Sequence, residues 1–567
     1  MTRAPRDAVE PALPGHWHRP LQGGWRSLGV SPSFTMFDYI IIGAGAAGCV
    51  LAGRLSEDPA VHVALLEAGG SDHSPLVQCP AGIALLAKYG RTHWRFGTVP
   101  QPGLNGRSGF QPRGKVLGGS TSVNAMIYTR GQPADYDHWA AEGNPGWAFA
   151  DVLPYFRRAE HNTRGADAWH GADGPLQVTD LQSPNRYSPA FVQAALQAGF
   201  PANSDFNGAT QEGVGLYQVM QKDGERCSAA KAYLTPHLGR PNLQVFTGAQ
   251  TSRILTQGRR AVGVEFIQDG LLKQLRCQGE VLLSAGALQS PQLLMLSGIG
   301  DHAQLLANGI ATVHHLPGVG LHLHDHVDVV HAVHVPRAKE LWGLSPTGLA
   351  HIAQGVVDWR KHRRGMLTSN LAEAGGFIKS QPGEPLPDLQ LHFVPAKLVD
   401  HGRKTPWGHG YSVHVCVLRP ESRGSVTLDS KDPLAAPLID PNFLGERADM
   451  ERLLRGFQLV RRICAQPALA ALGGRELAAS AAAQGDLALE FYLREHADTV
   501  YHPVGSCRMG PGPLDVVDAR LRVHGVAGLR VVDASIMPRI VSGNTTAAVT
   551  MLAEKATDML REDAARG

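Results

Sequence analysis

The sequence predicts an α/β fold that opens with a parallel βαβ crossover, and three observations predict it. An apolar run, Asp38-Tyr39-Ile40-Ile41-Ile42, feeds directly into the glycine-spaced turn Gly43-Ala44-Gly45-Ala46-Ala47-Gly48. Residues 46–57 are able to form a helix. Val61 to Leu66 then reads as a second buried strand, closed by Glu67, 19 residues after Gly48. Gly43 permits the tight turn, Gly45 leaves bare backbone for a pyrophosphate, and Gly48 lets the helix lie close on the strand. Phosphates at that turn meet the free N–H groups of the helix N-terminus, and Glu67 falls where a ribose-binding carboxylate belongs. The same glycine spacing occurs in ordinary turns; the flanking strand, helix and second strand make a dinucleotide site the stronger reading.

Further pieces of the same kind recur along the chain. A glycine-rich segment spans 113–126, a strand-rich stretch covers 243–320, and a strand and helix follow from 529 onward. Within the second of these, Val281 to Gly286 reads as a buried strand and turn, with Ser290 capping a helix, Pro291 at its first position and Gly298 stopping it. The alanine-rich stretch 469–483 reads as a surface helix and loop. Residues 1–35, rich in Pro, Gly, Arg and Trp, lack the apolar core of a secretion signal and read as disordered. Met36 stands directly before the first strand and is read as a candidate translation start, which upstream peptides in native protein would refute.

A chain of 567 residues is too long for one core, so two packed domains are expected. Lys plus Arg exceed Asp plus Glu by only 3, which argues against a nucleic-acid partner and against selection of substrate by bulk charge. Seven cysteines, an odd number without paired spacings, fit neither a disulfide scaffold nor a thiolate metal site, and a reducing cytoplasm is the simplest expectation. No apolar run is long enough to span a bilayer.

Four segments, taken together, resemble the glucose-methanol-choline family of flavin oxidoreductases from about residue 36 to the C-terminus. They are the first glycine motif, PRGKVLGGSTSVNAMIYTRG at 112–131, GALQSPQLLMLSGIG at 286–300, and HPVGSCRMG at 502–510 with SGNTTAAVTMLAEKA at 542–556. The chain is most similar to choline-dehydrogenase-type members and quinone-linked alkanol dehydrogenases, a comparison prompted by GMLTSNLAEAGGFIKS at 365–380 and VDHGRK at 399–404. The resemblance implies a Rossmann-like FAD-binding domain assembled from 36–150, 220–325 and 500–567. It also implies an α+β substrate domain with an antiparallel sheet, from 151–219 and 326–499.

Moving a hydride from an alcohol carbon to flavin also releases the hydroxyl proton, so such a site needs a base. His502, ahead of the turn-forming Pro503-Val504-Gly505, matches the family's active-site histidine. Asn544, 42 residues later, matches its asparagine partner and can donate a hydrogen bond to the substrate oxygen. A histidine before proline also serves loops, and an asparagine after Gly543 also caps helices; the family match favours the catalytic pair. FAD contacts are implied for Gly43, Gly45, Ala46, Ala47, Gly48, Glu67, Ala68, Trp94, Arg113, Val116, Gly118, Gly119, Ser120, Asn124, Ala125, Met126, Thr251, Asp533, Ala534 and Thr545. The helix from about Thr545 is expected to aim its positive end at the ring. Val123 stands where covalently flavinylated relatives carry histidine, so FAD is expected to be held non-covalently.

Two other patterns carry chemistry of their own. His322, His324, Asp325 and His326 have metal-ligand chemistry, but strand alternation sends neighbours to opposite faces, and no metal is expected. Leu349, Ile352, Val356 and Trp359 form an amphipathic stripe before Arg360, Lys361, His362, Arg363 and Arg364; a self-packing helix is the first expectation and a peripheral seat on acidic lipid the second. Leu391, His392, Phe393 and Pro395 are candidates for the substrate wall. The expected reaction is oxidation of a primary aliphatic or aromatic alcohol to an aldehyde, with electrons passed to a quinone-type acceptor. The alternatives are an oxygen-using oxidase, a choline dehydrogenase and a hydroxynitrile lyase in which FAD is structural.

Overall fold

The computed structural model describes residues 36–89, 92–404 and 406–566; the extension read as disordered lies outside them. The strand Phe37–Ile42 is almost wholly buried on both faces, as a central parallel strand requires. It pairs in parallel with Val63–Leu66 on one side and with the end of the long strand Leu271–Leu283 on the other. Leu243–Phe246 extends the parallel set beyond Val63–Leu66, and Leu529–Val531 pairs with Val281, Leu282 and Leu283. The first half of Leu271–Leu283 instead runs antiparallel to Arg260–Gln268, which pairs with Gln250–Gln257. Segments 200 or more residues apart in sequence thus complete one seven-stranded sheet.

The helix Ala46–Leu55 leaves the first strand through the glycine turn. A Cβ on Gly48 would lie 1.9 Å from the Gly43 carbonyl oxygen and 3.4 Å from Ile41 Cγ2, so helix and strand meet at a distance that excludes any side chain. The same helix packs against the terminal helix Thr546–Arg566. Between them the fully buried Glu554 carboxylate accepts from Arg54, Arg158 and Tyr233, with the Arg54 Nη2 contact at 2.9 Å and the Tyr233 hydroxyl at 2.8 Å. Stranding that carboxylate by removing its cations would cost about 3–5 kcal/mol.

The helix expected from Ser290 begins earlier, at Gly286, and runs to Leu296. Ser290 and Pro291 lie inside it. Its N-terminus is satisfied from far along the chain: Asp533 Oδ2 accepts from Gly286 N at 2.9 Å and from the Ser290 hydroxyl at 2.5 Å. Pro291 has no N–H for the Ala287 carbonyl. The Ser506 hydroxyl donates to that oxygen instead, at 2.5 Å. Gly298, with φ of 78°, ends the helix as expected.

A second sheet of eight strands is antiparallel. Its centre is Val327–His334, Gly408–Val417, Leu389–Val394 and Ala374–Ile378, with Gly213–Leu216 beyond. Strand alternation divides its two faces. Leu391, Phe393, Val413 and Val415 pack with Leu453, Phe457 and Val460 of the helix Arg447–Cys464, whereas His392, Val394 and His414 face a cavity. All seven cysteines are unpaired. Among the described residues no helix is long and apolar enough to cross a membrane.

Candidate functional site

Two cavities adjoin, and the first lies at the carboxyl ends of the parallel strands. The first is a cleft lined by Gly43, Gly45, Ala46, Ala47, Glu67, Ala68, Trp94, Arg113, Gly119, Ser120, Thr251, Asp533, Ala534 and Thr545. The second, of about 1110 Å³, shares Arg113, Ser120 and Thr545 with the first and adds Asn124, Ala125, Met126, His502 and Asn544. Gly48, Val116 and Gly118 line neither: Gly48 lies inside its helix, Val116 packs with Val77, Leu86 and Val123, and Gly118 N donates to Ala44 O at 2.8 Å beneath the loop.

The cleft fits a dinucleotide on the chain's own geometry. Space opens beside Gly45, where an added Cβ would meet only the Ser284 oxygen, at 4.0 Å. Opposite it a Cβ on Gly119, whose φ is 53°, would approach Gly45 Cα to 2.7 Å, so the 113–126 loop closes on the turn through two glycines. The hydroxyls of Thr251 and Ser284 line the same cleft and are buried without a partner among the described residues, which an external polar ligand would supply.

Glu67 holds the loop together as well as facing the cleft. Its Oε2 accepts from Ala44 N at 3.0 Å and its Oε1 from Gly69 N at 2.8 Å. Burial pushes its pKa up to about 7, against those two hydrogen bonds. Asp533 is likewise engaged by the protein, since Oδ1 accepts from Ser535 N at 2.8 Å while Oδ2 caps the helix Gly286–Leu296. Trp94 stacks on Phe96 and carries the Lys115 ammonium 3.9 Å from its ring centre. Arg226 is fully buried with no carboxylate partner among the described residues, donating to Val77 O, Thr121 O and Asn124 O, and burial pulls its pKa down to about 9. No sequence motif marked it.

At the floor of the second cavity the hydrogen bonds dictate one arrangement of protons. Asn544 Oδ1 faces two donors, the Thr129 hydroxyl at 3.3 Å and Gln390 Nε2 at 3.0 Å, so Nδ2 is the atom that faces His502 Nε2 at 3.2 Å. A donor at Nε2 requires a lone pair there. His502 Nδ1 therefore carries the proton and donates to His326 Nδ1 at 3.0 Å, which His326 can accept because its own Nε2–H points to Leu418 O at 3.0 Å. Asp325 anchors the chain by accepting from His502 N at 2.8 Å. Burial, with His326, His392 and Arg113 nearby, holds the His502 pKa well below the usual histidine value, so the ring is neutral at pH 7. The result is an unprotonated imidazole nitrogen at a cavity wall beside an amide donor, the equipment for taking a hydroxyl proton.

The residues 322–326 take several roles, and His324 Nδ1 donates to His322 O at 2.7 Å. His322 adopts a left-handed backbone, His324 Nε2 accepts from Ile540 N at 3.0 Å, and Asp325 and His326 both serve His502. Of the wall candidates, His392 faces the cavity, while Leu391 and Phe393 point into the opposite core and Pro395 lies outside the lining. His326, Thr129 and Gln390 carry no local signal of their roles. They are brought to Asn544 and His502 from three separate segments.

Comparison with known proteins agrees with this geometry. Family models described as GMC oxidoreductase match residues 37–328 and 420–553. The chain is 47% identical to an alcohol dehydrogenase [acceptor] of Pseudomonas putida, covering 93% of this chain and 96% of that protein. It is 42% identical to the mitochondrial choline dehydrogenase of Mus musculus, covering 99% and 94% respectively. Its structure resembles pyridoxine 4-oxidase from Mesorbium loti, with a TM-score of 0.83 at 31% identity, over 93% of this chain and 99% of that one.

Proposed function

Since the chain belongs to the GMC oxidoreductase family, FAD-binding enzymes acting on CH–OH donors, we propose that it is a dehydrogenase of primary aliphatic or aromatic alcohols. The observation that carries this reading is the directed chain from Leu418 O through His326 and His502 to Asn544, which leaves one basic nitrogen facing a cavity. An alcohol hydroxyl enters between the two side chains, donating to His502 Nε2 and accepting from Asn544 Nδ2. FAD, which the cleft lined by Gly43, Gly45, Glu67 and Gly119 would hold, would supply the two-electron acceptor for the carbinol hydride. His502 receives the hydroxyl proton as the C–O bond becomes a carbonyl. Asn544 holds the oxygen while its negative charge grows, its amide already fixed by Thr129 and Gln390. The helix Thr546–Arg566 starts at the wall of both cavities and adds the field of its positive end.

FAD is held non-covalently in this reading, because Val123 lines the second cavity with no nucleophilic atom. The parallel-sheet segments serve as the cofactor domain and the antiparallel sheet as the substrate domain, with the limits given above. A quinone-type compound is the electron acceptor. An exposed seat on an acidic membrane is included, supported by Leu349 and Val356 of the stripe, with Val357 beside them, which stand exposed on the helix Pro346–His362 with Arg360 and Lys361 at its end; Trp359 of the same stripe is instead buried and donates from Nε1 to Gly224 O at 2.8 Å. Anaerobic mixing of the purified holoenzyme with primary alcohols tests the central reading: the visible flavin absorbance is expected to bleach with formation of aldehyde. An unchanged spectrum would point instead to a lyase. Reoxidation by a quinone analogue without peroxide is the expected second half, and rapid peroxide release would make the enzyme an oxidase.

A further inference from the structure

Among the described residues, the wall of the second cavity contains no aspartate and no glutamate. It contains Arg113, Arg360, Lys397, Arg403 and Lys404, together with apolar residues including Leu85, Leu371 and Leu398. Three of these cations are otherwise engaged. Arg403 pairs with Asp400 and Asp498 at 2.6 and 2.8 Å, Lys404 lies 3.8 Å from Asp400, and Arg113 is tied to the carbonyls of Pro112 and Tyr501. Lys397 differs. Its ammonium donates to Trp407 O at 2.8 Å, lies 3.2 Å from His334 Nδ1, and has no ion-pair partner among the described residues. Burial depresses its pKa, as expected of a half-buried cation without a counter-charge.

The nearby buried carboxylate, Asp328, does not supply a negative wall. It lies behind His414 and His401, with Oδ2 at 2.6 Å from His414 Nδ1 and 3.5 Å from His401 Nδ1, and those imidazoles, not the carboxylate, line the cavity. A quaternary ammonium group would find the aromatic residues Phe110, Trp342, Trp359 and Tyr501 in the same lining, but beside several cations and with no carboxylate among the described residues to face.

Lys397 stands at the end of the cavity remote from the base. Its Nζ is 3.8 Å from the place of a Cβ on Gly408, the first residue of the strand Gly408–Val417, whose His414 is the register partner of His392 at the inner end. Six residues of extended strand separate Gly408 from His414, roughly 20 Å. A cavity of about 1110 Å³ exceeds what a short alcohol fills.

We propose that the substrate is an alcohol with an apolar chain and an anionic group at its far end, an ω-hydroxy carboxylate, whose carboxylate pairs with Lys397 while its hydroxyl meets His502 and Asn544. This deepens the alcohol-dehydrogenase reading and rests on it. The test compares ω-hydroxylaurate, its methyl ester and dodecanol as anaerobic reductants of the bound flavin, in wild type, Lys397→Met and Lys397→Arg. The wild type is expected to favour the acid over its ester by roughly tenfold in the second-order rate of reduction, the scale of a charge-assisted contact. Lys397→Met should lose that preference while reducing with ester and dodecanol within about twofold of wild type, and Lys397→Arg should keep it. The proposal is overturned if wild type treats acid and ester alike, or if Lys397→Met slows all three equally. Bleaching by other alcohols in either of those cases would leave the alcohol-dehydrogenase reading standing; failure of every alcohol would overturn that reading itself.

Discussion

Replacing His326 with leucine isolates the proton arrangement on which the site depends. In the resting site two contacts specify the His502 tautomer, the acceptor His326 Nδ1 at 3.0 Å and the donor Asn544 Nδ2 at 3.2 Å. When a substrate hydroxyl enters between Nε2 and Asn544, only the His326 contact still holds the proton on Nδ1. Leucine removes the acceptor and leaves a buried N–H unsatisfied, a penalty of about 2 kcal/mol on the reactive tautomer, or a factor of roughly thirty in rate. His326→Gln gives the matching rescue, because its amide oxygen can accept from Nδ1–H while its NH₂ donates to Leu418 O; it should fall within about fivefold of wild type. Anaerobic stopped-flow reduction of the flavin reads both variants, with the oxidised spectrum confirming bound cofactor. Reduction of His326→Leu at the wild-type rate would refute the tautomer assignment, as would equal losses in the leucine and glutamine variants.

Burial holds His93 and His326 at about 4 and His392 at about 3, below the ordinary 6.5 to which unfolding returns them. The unfolded chain then binds protons that the folded chain refuses, so stability is full above about pH 6.5 and declines as pH falls toward 4, by up to about 3 kcal/mol for a fully buried ring such as His326. Urea midpoints that stay constant between about pH 7.5 and about pH 5 would contradict this. The same displacement at His502 puts the acid limb of flavin reduction below the usual histidine value, a shift that the pH dependence of the stopped-flow rate will read. Acid precipitation of the holoenzyme should release all of the FAD into the supernatant, since Val123 offers no attachment; yellow colour retained in the pellet would show a covalent link elsewhere. Ser506→Ala should lower stability by about 1–3 kcal/mol in urea unfolding, because the Ala287 carbonyl opposite Pro291 loses its donor; an unchanged midpoint would mean that another group satisfies it.

What the sequence makes legible is what neighbouring residues decide. The first strand, glycine turn and helix are readable because Ile40 to Ile42 and Gly43 to Gly48 act on one another within a few residues. Gly298 ends its helix by its own backbone freedom, equally local. The start of that helix is misread because Ser290, a good cap by composition, bonds to Asp533 from inside the helix, and Asp533 itself takes the capping role from 247 residues away. The base and its asparagine are legible through family motifs, but the groups that orient them are not: His326 lies in a histidine cluster whose metal-like composition obscures its contact with His502, 176 residues distant. Thr129 and Gln390 are unremarkable in sequence and meet Asn544 only once both sheets are formed. The candidate wall shows the cost of lacking phase: alternation sends His392 to the cavity and both of its neighbours to the core.

The most direct measurement is anaerobic stopped-flow reduction of His502→Ala by a primary alcohol that reduces the wild type. The variant is expected to bind FAD with an ordinary oxidised spectrum and to reduce it at least about a hundredfold more slowly, the scale of a lost catalytic base. Reduction at a rate near that of the wild type would remove His502 Nε2 as the proton acceptor.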